Sequence, residues 1–410
     1  MKNSEKNINK SLYNISIRKS NIKNKNTKLK EKNNMTKKVR SVFIFKLYLF
    51  LFLPFISIEQ DNNLFQTSYS YIELNVKGIG ETNIFYINEE NTSCKGLIPP
   101  DEIQINNDES IQNPDMIYNL PKEVNNIKLI WINKKMTTLH CLFNDCRNIT
   151  YVDFSHFNST FVDSLNDLFN DCQSLVSVNF NNFDSSQVTD MHWMFQNCKS
   201  LKSIDLSNFD TSKVQSMKHL FYGCSSLENI ILPSKFDTSS VIIMDRMFCG
   251  CKSLVSLNLS NLNTSNVLNM DHMFTNCYKL KYLDISNFDT SKVIIMDCMF
   301  NNCRELISLD LSSFETSNVE KFQNMFLGCN KIKFIDLSNF NTSKAINMTD
   351  MFGNCKQLKS INLSNFDTSK VKSMNYMFSN CENLISIDIS NFDTSKVTTF
   401  SFFFQNCKSL

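Results

Sequence analysis

Eleven cysteines fall on one ladder: Cys146, Cys172, Cys198, Cys224, Cys251, Cys277, Cys303, Cys329, Cys355, Cys381 and Cys407. They are spaced by 26 residues, with a single interval of 27. The one extra residue falls near Pro233. A fixed period of this length marks stacked supersecondary units, none of which can bury its apolar face alone. No other feature constrains the fold as strongly.

One unit reads CKSLKSIDLSNFDTSKVQSMKHLFYG, from Cys198 to Gly223. In its first half Leu201, Ile204 and Leu206 are apolar, with Ser203, Asp205 and Ser207 between them. That alternation predicts a short strand. In the second half Val214, Met217, Leu220, Phe221 and Cys224 cluster at about 100° per residue, which predicts two to three turns of helix. The expected fold is therefore an α/β solenoid with a 26-residue period. About ten parallel strands would form one sheet, with short helices on the other face.

The octapeptide SNFDTSKV occupies 207–214 and returns unchanged at 286–293, 364–371 and 390–397. Phe209 and Val214 recur as core. Asp210, Thr211 and Ser212 are read as turn chemistry leading into a helix N-cap. Lys213 has no such role and is attributed to duplication of the unit.

The ladder cysteines are not spaced as metal ligands, which need short CxxC-type clusters. Side chains on adjacent rungs point in parallel, which suits disulfides poorly. They are read as a structural column of buried free thiols. Cys94, Cys141, Cys249 and Cys298 lie off the ladder and are the disulfide candidates. Cys141 and Cys298 are assigned to the solvent face.

Two columns are candidates for recognition. An acidic strand-face column holds Asp205, Asp284, Asp310, Asp336 and Asp388, a stripe suited to a cation or a basic partner. A second column lies five residues before each ladder cysteine and holds Trp193, His219, Arg246, His272 and Tyr376. There the units differ most, and the residues are types enriched at binding hot spots.

The pattern MFxxCxxLxxIDLSNFDTSKV resembles the BspA-type leucine-rich-repeat surface proteins, in the 26-residue variant of mycoplasma and protist surface proteins. The match covers about 146–410. The resemblance implies a leucine-rich-repeat-like solenoid and a role in adhesion. One departure stands out. The slot that ordinarily holds a ladder asparagine carries Phe209, Phe288, Phe314, Phe340, Phe366 and Phe392. Asparagine sits one residue earlier, as at Asn208, Asn287, Asn339, Asn365 and Asn391.

Ahead of the repeats, residues 1–40 are a basic tail with thirteen Lys/Arg against two Glu, leaving 29 against 38 in the remaining chain. The body is thus acidic, and nucleic acid is not an expected partner. Residues 41–58, SVFIFKLYLFLFLPFISI, read as a signal peptide or signal anchor. An uncleaved anchor would tie the chain to a membrane with its basic tail inside. Met35 is an alternative start. Residues 59–117 are read as a small β-hairpin region, with strands around Gly78-Ile79-Gly80, followed by a linker. Residues 118–145 are read as a degenerate N-terminal capping repeat, and 146–410 as the solenoid. The chain stops three residues into a unit, which suggests a truncated end at Leu410.

No phosphate loop, nucleophile elbow, HExxH or dinucleotide fingerprint occurs. The chain is not expected to be an enzyme, and neither metal nor cofactor is called for. The expectation is a cell-surface or secreted repeat protein that binds a protein or glycoconjugate ligand, as an adhesin does. An intracellular interaction scaffold on the same solenoid is the alternative.

Overall fold

The computed structural model describes residues 68–86, 94, 96–108, 117–233 and 236–410. The basic tail and the apolar run 41–58 lie outside the described residues. Among those described, no helix is long and apolar enough to cross a membrane.

The repeats form a β-solenoid. In the unit from Cys198, the residues Leu201, Ile204, Leu206, Phe209, Thr211, Val214, Met217, Leu220 and Phe221 are all buried. The chain therefore turns a side chain inward every two or three positions, with Leu220 and Phe221 both inward at the last turn. Each inward position becomes a column through the stack. The phenylalanine three before each ladder cysteine gives stacked ring pairs at 5.2–5.7 Å, running without a break from Phe143 to Phe378 and on to Phe404. Burying one such side chain contributes about 1.5–3 kcal/mol, so the columns supply the main cohesion between turns.

The predicted short helices do not form; the described residues hold thirteen strands and no α-helix. The backbone hydrogen bonds explain why. The N–H groups of Met217, His219, Phe221 and Gly223 donate to carbonyls one turn further on, at Ile243, Asp245, Met247 and Cys249. The intervening N–H groups of Leu220, Tyr222 and Cys224 close three-residue turns onto Met217, His219 and Phe221. Alternate donors leave the segment, so the i→i−4 ladder of a helix cannot build. Three-residue turns and a 3.6-residue helix place apolar residues at nearly the same spacing, which is why the sequence pattern pointed to helix.

The strand column is also less regular than one sheet of ten. It comprises β6 (Ile149–Asp153), β7 (Ser177–Asn179), β8 (Ser203–Asp205), β9 (Asn229–Ile231), β10 (Ser256–Asn258), β11 (Tyr282–Asp284), β12 (Phe334–Asp336) and β13 (Ser360–Asn362). These pair in parallel two by two. The stretches at Ser308–Asp310 and Ser386–Asp388 form no strand. Continuity is carried elsewhere, by single parallel bridges running from Ser164 through Asp190, Ser216 and their equivalents to Thr399.

The repeated polar residues knit the turns together. Asp210 Oδ1 accepts the Ser212 N–H at 3.0 Å, and Asp237, Asp289, Asp367 and Asp393 repeat the contact. This is an Asx turn rather than a helix N-cap. The buried threonines donate to the next turn, as Thr211 does to the Asp237 carbonyl at 2.7 Å. The shifted asparagines reach back one turn: Asn339 Nδ2 donates to the carbonyls of Leu311 and Phe314. An asparagine ladder therefore exists, one residue early. Even the copied lysines make contact, with Lys213 Nζ at 2.8 Å from Gln187 Oε1.

At the N-terminal end, the strands around Gly78-Ile79-Gly80 do not pair as a hairpin. β1 (Tyr69–Lys77) pairs antiparallel with β5 (Val124–Ile132) and with β6, while β2 (Gly80–Asn83) pairs with β4 (Ile117–Leu120). Gly78 and Gly80 have positive φ and turn the chain out of one pairing into the other. β3 (Glu102–Ile105), within the expected linker, joins the far side of β5. The edge of β6 is thus covered by β1, which blocks further strand addition there. Of the expected capping repeat, the first half supplies β5. Its second half forms a first turn, where Leu139, Cys141 and Phe143 donate to Ser164, Asn166 and Leu168.

Thr290 separates turn chemistry from mere duplication. Its Oγ1 donates to the Glu315 carbonyl at 2.7 Å and accepts the Glu315 N–H at 2.8 Å. Thr290→Val keeps the shape and removes both bonds, with an expected loss of about 1–3 kcal/mol in urea unfolding. Lys292→Ala, on the exposed surface, is expected to cost less than about 0.5 kcal/mol. Equal effects would show that the threonine column is dispensable.

Candidate recognition column

Five residues before every ladder cysteine the backbone is left-handed. The φ angles are 58° at Trp193, 54° at His219, 56° at Arg246, 55° at His272 and 58° at Tyr376. Each of these residues donates its N–H to the turn that follows. The position is fixed by the ladder, because the peptide must flip there for the next donor to face the adjacent turn. Directly before the cysteine lies a second left-handed position, filled by Asn197, Gly223, Gly250, Asn276 or Asn302 and their equivalents. Asn and Gly are the residues that tolerate this conformation. The first position carries Asp167, Asn324 and Asp350, which suit it, but also Trp193, His219, Arg246, His272 and Tyr376, which hold it at a cost of roughly 1–2 kcal/mol per residue.

The five candidate residues lie along one face and are half-buried. Trp193 and His219 rings are 6.1 Å apart, and His219 stacks on Tyr222 at 5.0 Å. Tyr376 stacks on Phe402, in the same column, at 5.0 Å. Asp245, which the sequence reading passed over, is the electrostatic centre. It is 2% exposed and lies 3.1 Å from Arg246 Nη1, 3.5 Å from Lys218 Nζ and 3.7 Å from His219 Nε2. Arg246 Nη2 also reaches Asp271 Oδ2 at 2.9 Å, and Asp271 Oδ1 lies 2.5 Å from His272 Nδ1. The signal in the sequence was an acid immediately before Arg246 and before His272. Trp193 Nε1, His219 Nε2 and Asp245 Oδ1 are buried without a hydrogen-bond partner. Buried polar groups are rarely left so.

The two histidines differ in charge. Burial pushes His219 down to about 4, overriding the attraction of Asp245. The hydrogen bond to Asp271, with a lesser contribution from the nearby Cys298 side chain, raises His272 to about 9.

The acidic strand-face residues occupy one column, but each has a local task. Asp205, Asp284, Asp310, Asp336 and Asp388 each accept the backbone N–H of the serine two residues on, at 2.8–3.2 Å. Those N–H bonds hold Asp310, Asp336 and Asp388 below the usual carboxylate range. One oxygen of each is therefore committed to the turn.

The ladder cysteines are free thiols, buried except for the half-buried Cys407. From Cys172 to Cys407, each Sγ–H donates to the carbonyl of the phenylalanine in the preceding turn, at 2.9–3.3 Å. Burial pushes the Cys329 thiol up to about 12. Cys94 and Cys141 form a disulfide. Cys141 and Cys298 are buried rather than solvent-facing, because the left-handed turn tucks small side chains inward. Cys249 and Cys298 remain free. Cys94, Cys141 and His140 lie within 4.8 Å of one another. With the two sulfurs bonded to each other, the trio does not offer three metal ligands.

The histidine environments predict opposite pH effects. His272 binds its proton more tightly in the folded state, so its stabilisation is complete below about pH 6.5 and lost as pH rises through about 9. His219 is held neutral, so stability falls as pH drops from about 6.5 towards 4. Imidazole NMR titration should show His272 protonated and His219 neutral at pH 7. Near-equal midpoints would refute this assignment.

Three overlapping segments, 134–253, 228–334 and 323–410, match a family described as Mycoplasma protein of unknown function, DUF285. No curated protein sequence matches the chain. Among solved structures, a chain of the Toll–Spätzle complex, described as a molecular hub in Drosophila development and innate immunity (glycosylated form), aligns at 12% identity. The alignment covers 60% of this chain and 37% of that one, with a TM-score of 0.21.

Proposed function

The chain belongs to the DUF285 family of Mycoplasma proteins of unknown function, and from that premise we propose that it is a non-enzymatic binding solenoid, displayed at the cell surface or secreted. Its partner is a protein, gripped along the column of Trp193, His219, Arg246, His272 and Tyr376. The observation that carries this reading is the contrast between the two left-handed positions. Both demand the same backbone, yet the second holds only Asn, Asp and Gly, while the first, beside Asp167, Asn324 and Asp350, holds large and varied side chains in most of its turns. Strain held at a position that packing alone would relieve points to a functional demand there.

Display outside the cell is supported by the Cys94–Cys141 disulfide, which suits an oxidising compartment. The basic leader with its apolar run and the resemblance to BspA-type surface proteins agree with it. Adhesion to host, matrix or neighbouring cells is the finer form of the proposal.

Protease shaving of intact cells, probed with an antibody to the 198–223 unit, tests the location. Loss of signal is expected. Protection until lysis would refute display and favour the intracellular scaffold. The column is tested by Trp193→Asn and Tyr376→Asn in the full chain. Asparagine suits the left-handed backbone, so stability should stay within about 1 kcal/mol of the parent. Binding to immobilised matrix proteins should fall about tenfold or more, as at a hot spot. Unchanged binding in both variants would move the recognition surface elsewhere.

A further inference from the structure

The four residues that follow each ladder cysteine form one edge of the stack. The third of them is apolar and buried from Ile149 to Leu384, and the other three face outward. Contacts one unit apart hold these positions in register. Lys199 Nζ lies 3.3 Å from Gln173 Oε1. Glu382 sits between Lys356 and Lys408, at 3.7 Å and 2.8 Å from their Nζ atoms. The Lys359 N–H donates to the Lys333 carbonyl at 2.9 Å.

This edge carries twelve Lys/Arg against three Glu, whereas the rest of residues 41–410 carries 17 against 35. All twelve cations are exposed. Among the described residues, only Arg147, Lys356 and Lys408 of the twelve have a carboxylate partner. The first position carries a cation in every second turn, at Lys199, Lys252, Arg304, Lys356 and Lys408. At the spacing of paired strands those cations recur about every 10 Å. The densest stretch is Lys331, Lys333, Lys356 and Lys359, four cations in two adjacent turns with no acid on the edge between them.

We infer that this edge binds a sulfated linear polysaccharide. A line of unpaired cations on an otherwise acidic body concentrates positive potential along itself and draws a polyanion there. The width of the strip selects the form of that polyanion. The strand-face aspartates, such as Asp336, begin three residues beyond the edge. That is roughly 10 Å along an extended strand, about one Debye length at 0.1 M salt. A broad anionic membrane surface would meet the acidic column as well as the edge. A thin chain lying along the edge avoids it.

A nucleic acid single strand is also thin, but such strands are held largely by aromatic side chains on which the bases stack. The one aromatic residue facing outward on this edge is Tyr278, and it is already occupied. The Arg304 guanidinium lies 4.4 Å from its ring centroid and Lys252 Nζ 5.9 Å. A polysaccharide needs no such platform. Sulfate gives it a permanent charge and several acceptor oxygens for ammonium and guanidinium groups. Gln173, Ser225 and Asn330, which alternate with the cations at the first position, offer hydrogen bonds to sugar hydroxyls. The edge is separate from the left-handed column, so the inference does not require that the column bind a protein.

The test titrates the full chain into fluorescein-labelled heparin, followed by anisotropy at about 0.15 M salt. Saturable binding is expected, at least about tenfold tighter than to desulfated heparin. One variant combines Lys331→Gln, Lys333→Gln, Lys356→Gln and Lys359→Gln. Its control combines Lys213→Gln, Lys292→Gln, Lys370→Gln and Lys396→Gln, four exposed lysines off the edge. Both lose the same charge, so attraction by net charge alone would weaken them equally. The edge variant is expected to lose about tenfold or more in affinity and the control less than about twofold. Equal losses, or no heparin binding by the parent chain, would overturn the site. Tighter binding to an oligo(dT) strand or to phosphatidylserine vesicles than to heparin would overturn the choice of partner. The comparison of heparin with desulfated heparin on the parent chain decides the matter if a variant misfolds. No arm of the test involves the left-handed column.

Discussion

Everything in this molecule depends on how one turn satisfies the backbone of the next. A stacked turn buries most of its peptide groups, and buried N–H and C=O groups must find partners. Here alternate donors face forward to the next turn and the rest close tight local turns. That division requires the peptide to flip twice per unit, which places a left-handed residue five before and one before the cysteine. The side-chain columns then add cohesion without having to supply backbone partners.

The same constraint explains why the period tolerates so little drift. Thr290 bonds both the N–H and the C=O of Glu315, so a residue inserted between them would break two contacts at once. The single 27-residue interval falls near Pro233, at the end of β9, where an extra residue can leave the register of the turn ladder intact. Gly223 and Gly250 bracket this interval at the second left-handed position. An added Cβ at Gly223 would lie 2.4 Å from Asn197 Oδ1 in the preceding turn, so a larger residue there would displace that side chain.

Much of this was legible in the sequence, and the misses have one cause. The period, the parallel stacking, the inward Phe and Val columns and the thiol ladder follow from spacing and hydrophobicity alone. The helices were misread because apolar residues such as Val214, Met217, Leu220 and Cys224 recur every three or four positions under either geometry. What distinguishes them is the destination of each N–H, and a sequence does not record that. The hairpin around Gly78 failed similarly: Gly-Ile-Gly permits a tight turn, but β6 offered β1 an open edge with more to gain. The candidate column was visible as variation. Its backbone was not, since Trp193 and Arg246 are among the residues least expected at positive φ. Nor could Asp245 and Asp271 be singled out before the fold set them against the arginine and the histidines.

The arrangement separates the positions that pack the stack from those free to vary within one unit. Core columns are shared by every turn, so the loss of one side chain weakens contacts to two neighbours and the stack constrains its sequence. A residue in the left-handed column also carries the ladder, but through its N–H, which any residue except proline provides. Its side chain is therefore free to change from Trp193 to His219 to Arg246 without disturbing the turn. The cost of an unsuitable side chain stays local, and each turn bears it against the burial of a complete set of core residues. A stack of this kind can present a line of unrelated side chains at fixed spacing on a rigid frame.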